Sequence, residues 1–373
     1  MAEETGKRKV DHIRICLDER AQAKKATAGF EDLDLVHRAL PEINKAQISL
    51  QSTFLGKKFN APILVGAMTG GAEEATKINA AIAEAVEKLG LGMGLGSQRA
   101  AVENRGLEKT YRIAREKAPH AFLVANVGGV QLVQGYGVGE VRRIIEMIDA
   151  DALAIHLNAL QEIIQPEGQT NFKGLTAKIA QIAGAIDQPV IVKETGAGIC
   201  GEDAQVLKDA GVKAIDVGGV GGTSFAAVEY YRSDPNSCTQ HLGNTLWDWG
   251  IPTAVSLIET AQSVKLPLIA TGGIRSGIDI AKTLALGASL GSVVQPILQT
   301  AVRGTSETEQ KLQGLIEELR NVMFLTGAQT VSDLAKTPIV IRGKTAQWLT
   351  ARGFNLQKYA NQGANQVGYR EIS

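Results

Sequence analysis

The chain has 373 residues, 39 basic and 39 acidic side chains, a formal net charge of zero, and 3 cysteines. A zero balance supplies no broad basic surface and argues against a nucleic-acid partner. Cys16, Cys200 and Cys238 form no CxxC pair, which argues against a thiolate zinc site or a disulfide framework and fits a reducing cytoplasm.

No run of ~18 apolar residues predicts a membrane span, and the polar start MAEETGKRKVDH lacks the apolar core of a secretory signal. Glycine is the outlier, at 41 residues, well above the usual ~7%.

Short apolar runs, each followed by a helical pattern, recur along the chain. PILVGAMTGG (62–71) precedes a helical stretch at 76–89, and GLGMGLGS (90–97) one at 103–117. AFLVANVG (121–128) precedes 138–148, and ALAIHLN (152–158) precedes 175–186. PVIVKETG (189–196) leads to 202–210, and AIDVGGVGG (214–222) leads through a long segment to 253–264. PLIATGGI (267–274) leads to 276–286, and SLGSVVQP (289–296) to 307–324.

Continuous apolar runs suit parallel strands buried on both faces. Eight such units predict an α/β fold, a single (β/α)8 TIM barrel, with an open doubly wound sheet as the alternative. Residues 1–60 and 326–373 form terminal extensions around a barrel at 61–325, and no linker divides them. The segment 230–250 is too long for a simple connection and carries two tryptophans, which suggests a lid or a contact with another subunit.

In such barrels the site lies at the carboxyl ends of the strands. The residues there are Met68, Thr69 and Gly70; Ser97, Gln98 and Arg99; Asn126; His156, Asn158 and Gln161; Lys193 and Thr195; Gly218 to Gly222 with Thr223; and Gly272, Gly273 and Arg275. Thr69 and Thr223 also suit helix capping. Lys193 follows VIV inside a strand, where a lysine needs a partner such as an anion or an electron-poor ring.

Glycine-rich turns at Gly272, Gly273 and Arg275, and backbone near Val293 and Val294, point to phosphate binding at the last two strands. Gly196, Gly198 and Gly201 with Asp216 mimic a dinucleotide fingerprint, but in the fifth of eight like units rather than an opening one. Arg8, Lys9 and His12 read by themselves as a solvated tail, and Glu162 and Glu229 as solvated charges. One carboxylate with substrate phosphates is, however, a usual magnesium site.

RKVDH, AMTGG, GLGSQR, ANVG, HLNALQE, VKETG, VGGVGGTS and TGGIRSG, in this order, resemble type 2 isopentenyl-diphosphate isomerase from about Arg8 to beyond Pro296. The resemblance implies interconversion of isopentenyl and dimethylallyl diphosphate, a 1,3-allylic proton shift in isoprenoid biosynthesis. It implies FMN, reduced in the active state and serving as acid and base, together with Mg2+ and NADPH as reductant. It also implies a cytoplasmic homotetramer or homo-octamer.

By the same resemblance, Ala67, Met68, Thr69, Ser97, Asn126, Lys193, Thr223, Gly273, Ile274, Arg275, Val293 and Val294 contact FMN. Arg8, Lys9, His12, Ser97, Gln98, Arg99, His156, Asn158 and Gln161 bind substrate. Gln161, His156 and Lys193 serve the reaction, Glu162 holds the metal, and Glu229 is a further site position that the resemblance implies. Two other readings stand beside it: another FMN barrel such as a hydroxy-acid oxidase or dehydrogenase, which needs a proton-abstracting His or a nucleophilic Cys at a later strand end, and a non-catalytic phosphate-binding barrel.

Overall fold

The computed structural model describes residues 2–363, with the side chains of residues 2–8 and 19 outside that description. Eight parallel strands close into a barrel. They are β1 (Ile63–Val65), β2 (Gly92–Gly94), β3 (Phe122–Gly128), β4 (Ala152–Leu157), β5 (Val190–Glu194), β6 (Ala214–Asp216), β7 (Leu268–Thr271) and β8 (Leu290–Val293). Each lies inside one of the apolar runs of the sequence, and β8 pairs with β1 to complete the ring.

Side chains alternate along a strand, so residues two apart share a face. Leu64, Val124, Ala154, Ile191, Ala214, Ile269 and Leu290 pack together in the barrel interior. Two residues further along the same strands stand Gly66, Asn126, His156, Lys193, Asp216, Thr271 and Ser292. The interior is therefore stratified, with a closed apolar layer beneath and a polar layer at the carboxyl-terminal mouth.

The opposite mouth is stoppered by a hairpin, Ser52–Phe54 paired with Lys57–Phe59. Phe54, Phe59 and Phe122 meet there with ring centroids 5.6 to 6.5 Å apart, and all three are buried.

The extensions embrace the barrel. Leu33–Leu35 pairs antiparallel with Ile339–Ile341, which joins the two ends of the chain. Residues 2–17 form a helix rather than a tail. Short helices at Gly129–Val133 and Ala159–Ile164, absent from the sequence expectation, follow β3 and β4 directly.

In the 230–250 segment, Trp247 is buried against Ile15, Ala21, Ala227 and Val228, and its Nε1–H donates to the Gln22 carbonyl at 2.9 Å. Its packing partner is thus the amino-terminal segment of its own chain, while Trp249 is 64% exposed. Among the described residues no helix is long and apolar enough to cross a membrane.

The stopper predicts a stability cost. Phe59→Ala leaves a cavity under the barrel and should destabilise by about 3–5 kcal/mol, read as a lower denaturation midpoint. An unchanged midpoint would show that the hairpin is not part of the core.

Candidate active site

The carboxyl-terminal mouth holds a cavity of about 1280 Å³, counting its open end. Lys193, Asn126, His156, Thr271 and Ser292 of the polar layer line it, and Lys9 and His12 reach its rim from the helix Ala2–Leu17.

One wall is a hydrogen-bonded cluster after β4. Asn158 occupies the N-cap position of the helix Ala159–Ile164, and Gln161 and Glu162 follow at i+3 and i+4, so the three side chains share a face. Asn158 Nδ2 donates to Glu162 Oε1 at 2.8 Å and to Gln161 Oε1 at 3.3 Å. Gln161 Nε2 donates to Glu229 Oε1 at 2.8 Å, and His12 Nε2 lies 3.0 Å from the same oxygen. Arg232 binds the other carboxylate oxygen of Glu229.

Glu229 is fully buried. Burial alone would raise its carboxyl, but His12, Arg232 and Gln161 together outweigh that and hold it below the ordinary value. Burial lowers His12 despite Glu229, so its contact is best met by a neutral ring carrying the proton on Nε2. Glu229 is thus a buried anion in the machinery, not the exposed charge its sequence context suggested. No local pattern announces it, because only Arg232 is close in sequence, while His12 and Gln161 come from distant segments.

Around the floor, His156 Nδ1 lies 2.8 Å from Asn126 Oδ1. Lys193 Nζ donates to the Glu194 carbonyl at 2.9 Å. Glu194 accepts N–H bonds from Gly196 and Ala197, yet burial pushes its carboxyl up to about 7. Glu194, Gln131, Gln165, Phe225, Thr271, Ser292 and Gln295 line the cavity without having been singled out from sequence.

Most sequence-predicted residues converge here. Lys9, His12, Ala67, Met68, Ser97, Arg99, Asn126, His156, Asn158, Gln161, Glu162, Lys193, Thr223, Gly273, Ile274, Arg275 and Val294 all line the cavity. Arg8 sits on the same helix as Lys9, with its side chain outside the described residues.

Three side chains turn away. Gln98 is fully buried: its amide donates to the Ile144 carbonyl at 2.7 Å and accepts from Asn126 N–H at 3.0 Å, so it braces β3 rather than facing substrate. Thr69 donates its hydroxyl to Asn79 Oδ1 at 2.6 Å, and Val293 is buried in its strand, so neither side chain reaches the cavity.

The phosphate-like turns also have a packing basis. A Cβ on Gly272 would lie 2.1 Å from the Gly219 carbonyl oxygen, and one on Gly273 would lie 2.6 Å from that of Gly221. With φ of +113° and +71°, these glycines are required by neighbouring turns as much as by any ligand. Gln22 ties this end down, receiving a 2.5 Å bond from Arg275 Nη2 and donating to Thr223 Oγ1 at 3.0 Å. The dinucleotide-like glycines share this logic: Gly198 packs on Ile251 and Gly201 on Ser263.

The donor set suits a flavin nucleotide. Ser292 Oγ is buried without a partner at the cavity floor, a cation stands in the wall at Lys193, and Arg275 stands at the strand-7 turn. For a metal, the described residues hold no cluster of three or more His, Cys, Asp or Glu. Glu162 beside the unpartnered Asn158 Oδ1 fits only a hydrated cation completed by substrate oxygens.

Residues 1–125 and 147–341 match the family model described as FMN-dependent dehydrogenase. An isopentenyl-diphosphate delta-isomerase of Methanosarcina barkeri is 50% identical over 97% of this chain and 99% of its own. That of Methanothermobacter thermautotrophicus is 50% identical over 95% and 99%, and that of Pyrococcus furiosus 48% identical over 96% and 92%.

The chain belongs to the FMN-dependent isopentenyl-diphosphate delta-isomerase family. A solved mandelate oxidase variant with (S)-mandelic acid covers 92% of this chain at a TM-score of 0.61 and 17% identity, 98% of its own length being matched. At that identity the likeness is one of fold, and it agrees with the closed barrel of this isomerase-family chain.

Glu194 generates a pH prediction. Its carboxyl titrates at about 7 in the fold against an ordinary 4.5. The folded state therefore keeps a proton that the unfolded chain has released, and this contribution is full below 4.5 and lost as pH rises through about 7. Glu194→Gln should reduce the fall in denaturation midpoint between about pH 5 and pH 8. An identical fall in parent and variant would count against the buried, protonated carboxyl.

Proposed function

We propose that the chain interconverts isopentenyl diphosphate and dimethylallyl diphosphate, moving a double bond by a 1,3-allylic proton shift in isoprenoid biosynthesis. The observation that carries this reading is Glu229, a fully buried carboxylate held by three donors and linked to the cavity through Gln161.

The chain's own residues divide the work. Lys9, Arg99, His156 and Asn158 surround the rim side and suit a diphosphate, with charge-assisted hydrogen bonds to its oxygens. Arg8 joins them on the same helix. Glu162, with Asn158 Oδ1, would hold a hydrated Mg2+ completed by substrate oxygens, and the metal would balance the diphosphate's charge.

Glu229 fixes Gln161. With its Nε2 donating to Glu229 and its Oε1 receiving Asn158 Nδ2, the amide cannot flip. Gln161 then presents one orientation to the carbons, and His12 keeps its proton on Nε2, directed at Glu229. An alkene offers no polar handle, so fixing the carbon skeleton relative to the proton donor is the main service such a wall can render.

Lys193, Asn126, Met68, Thr223 and Arg275 would hold FMN along the floor and toward the strand-7 turn. When bound and reduced, FMN supplies the acid–base chemistry at the carbons. NADPH is the proposed source of electrons, a cytoplasmic setting fits that supply, and a homotetramer or homo-octamer is the proposed assembly. The hydroxy-acid oxidase reading lacks its base: His241 is exposed on the helix Cys238–Thr245 and does not line the cavity.

The test is an anaerobic assay of photoreduced protein with isopentenyl diphosphate and Mg2+, without NADPH. Product is expected with reduced protein and none with oxidised, and no product in either state would overturn the reading. Two variants divide the roles. Glu162→Gln should raise the Mg2+ concentration needed for half-maximal rate, and an unchanged requirement would remove Glu162 from the metal site. Lys193→Ala should weaken FMN retention on a desalting column, and full retention with full activity would remove Lys193 from the cofactor floor.

A further inference from the structure

The polar layer contains one acid and one fixed cation, and they are neighbours. Lys193 on β5 and Asp216 on β6 are register partners, so their side chains leave adjacent strands on the same, inward face. Directly beneath them lie Ile191 and Ala214 of the apolar layer. Lys193 lines the cavity, whereas Asp216 is only 3% exposed and is not among the lining residues.

Asp216 Oδ1 is buried without a hydrogen-bond partner. A carboxylate in such a place is costly unless a charge compensates it. Burial holds the Asp216 carboxyl above its ordinary value, and among the groups that oppose this the Lys193 ammonium comes first, ahead of Thr271 and the Gly218 N–H. The ammonium itself donates to the Glu194 carbonyl, and no direct ion pair within 4 Å joins it to Asp216 among the described residues, so the two charges couple through space across adjacent strands.

We propose that Asp216 is the buried counter-ion of Lys193, a positioning residue that sets how much positive charge the cavity floor presents to the cofactor. With Asp216 ionised, the floor carries a compensated pair. Without it, Lys193 presents a full cation in a low-dielectric wall, where one charge weighs far more than in water. A reduced flavin carries more negative charge than an oxidised one, so Asp216 restrains the preference of the site for the reduced form. The carboxylate thereby limits how tightly the resting enzyme holds its active redox state.

This rests on the reading that FMN occupies the cavity, and the experiment separates the two. The readout is the ratio of dissociation constants for oxidised and reduced FMN, measured anaerobically on the full chain. Asp216→Asn should favour reduced over oxidised FMN by about tenfold relative to the parent, equivalent to a rise of about 30 mV in the two-electron potential. Asp216→Glu, which keeps the charge, should stay near the parent. In a Lys193→Met background the Asp216→Asn change should vanish.

An Asp216→Asn variant that binds FMN with the parental ratio overturns the proposal. So does a tenfold change that persists without Lys193, since Asp216 would then act on the flavin alone. If the Asn variant does not fold, Asp216→Ser carries the same test. A parent that binds no FMN overturns the functional reading instead.

Discussion

The structure depends on a two-residue period. Because side chains alternate across a strand, the residue two beyond each apolar interior position must also point into the barrel. The apolar layer of Leu64, Val124, Ala154, Ile191, Ala214, Ile269 and Leu290 thus dictates where Asn126, His156, Lys193, Asp216, Thr271 and Ser292 stand. The packing that closes the barrel and the polarity that makes a site are consecutive turns of one geometric rule. The Phe54–Phe59–Phe122 stopper completes the lower layer, so the only place left for polar interior groups is the upper mouth.

Above that floor the site is assembled by convergence. Lys9 and His12 come from the first helix, Gln161 and Glu162 from the turn after β4, and Glu229 from the helix Phe225–Arg232 after β6. Glu229 draws three of these segments together through one carboxylate. Its charge is tolerated because the donors exist, and the donors are oriented because the charge exists, so each half of the arrangement stabilises the other.

The architecture was legible because buried parallel strands are continuous apolar runs, and the eight runs contain the eight strands. The strand-end residues were legible for the same reason: the end of an apolar run is the mouth of the barrel. Read from the residues by themselves, without the family resemblance, Glu229 and Asp216 were not. Glu229 resembles any helical surface glutamate until His12 and Gln161 are seen to meet it, and Asp216 looked like part of a dinucleotide fingerprint. Gln98 and Thr69 occupy the expected positions, but their side chains bond backward to Ile144 and Asn79, a choice made by long-range packing. The helix Ala2–Leu17 was hidden because its polar composition is that of a tail, and its buried face is created by the helix Phe225–Arg232 and its neighbours.

The amino-terminal segment also touches both ends of the cavity. His12 meets Glu229 on one side of the cavity, while ten residues later Gln22 holds Thr223 and Arg275 at the strand-7 turn and accepts from Trp247. Under the proposed placement of cofactor and substrate, one strap would serve two ligands. The conformational entropy of seating it is lost once, so whichever ligand orders the strap first lowers the ordering cost for the other. Reciprocity then requires cofactor and substrate to strengthen each other's binding by the same factor. Communication across this barrel mouth needs no motion of the barrel itself.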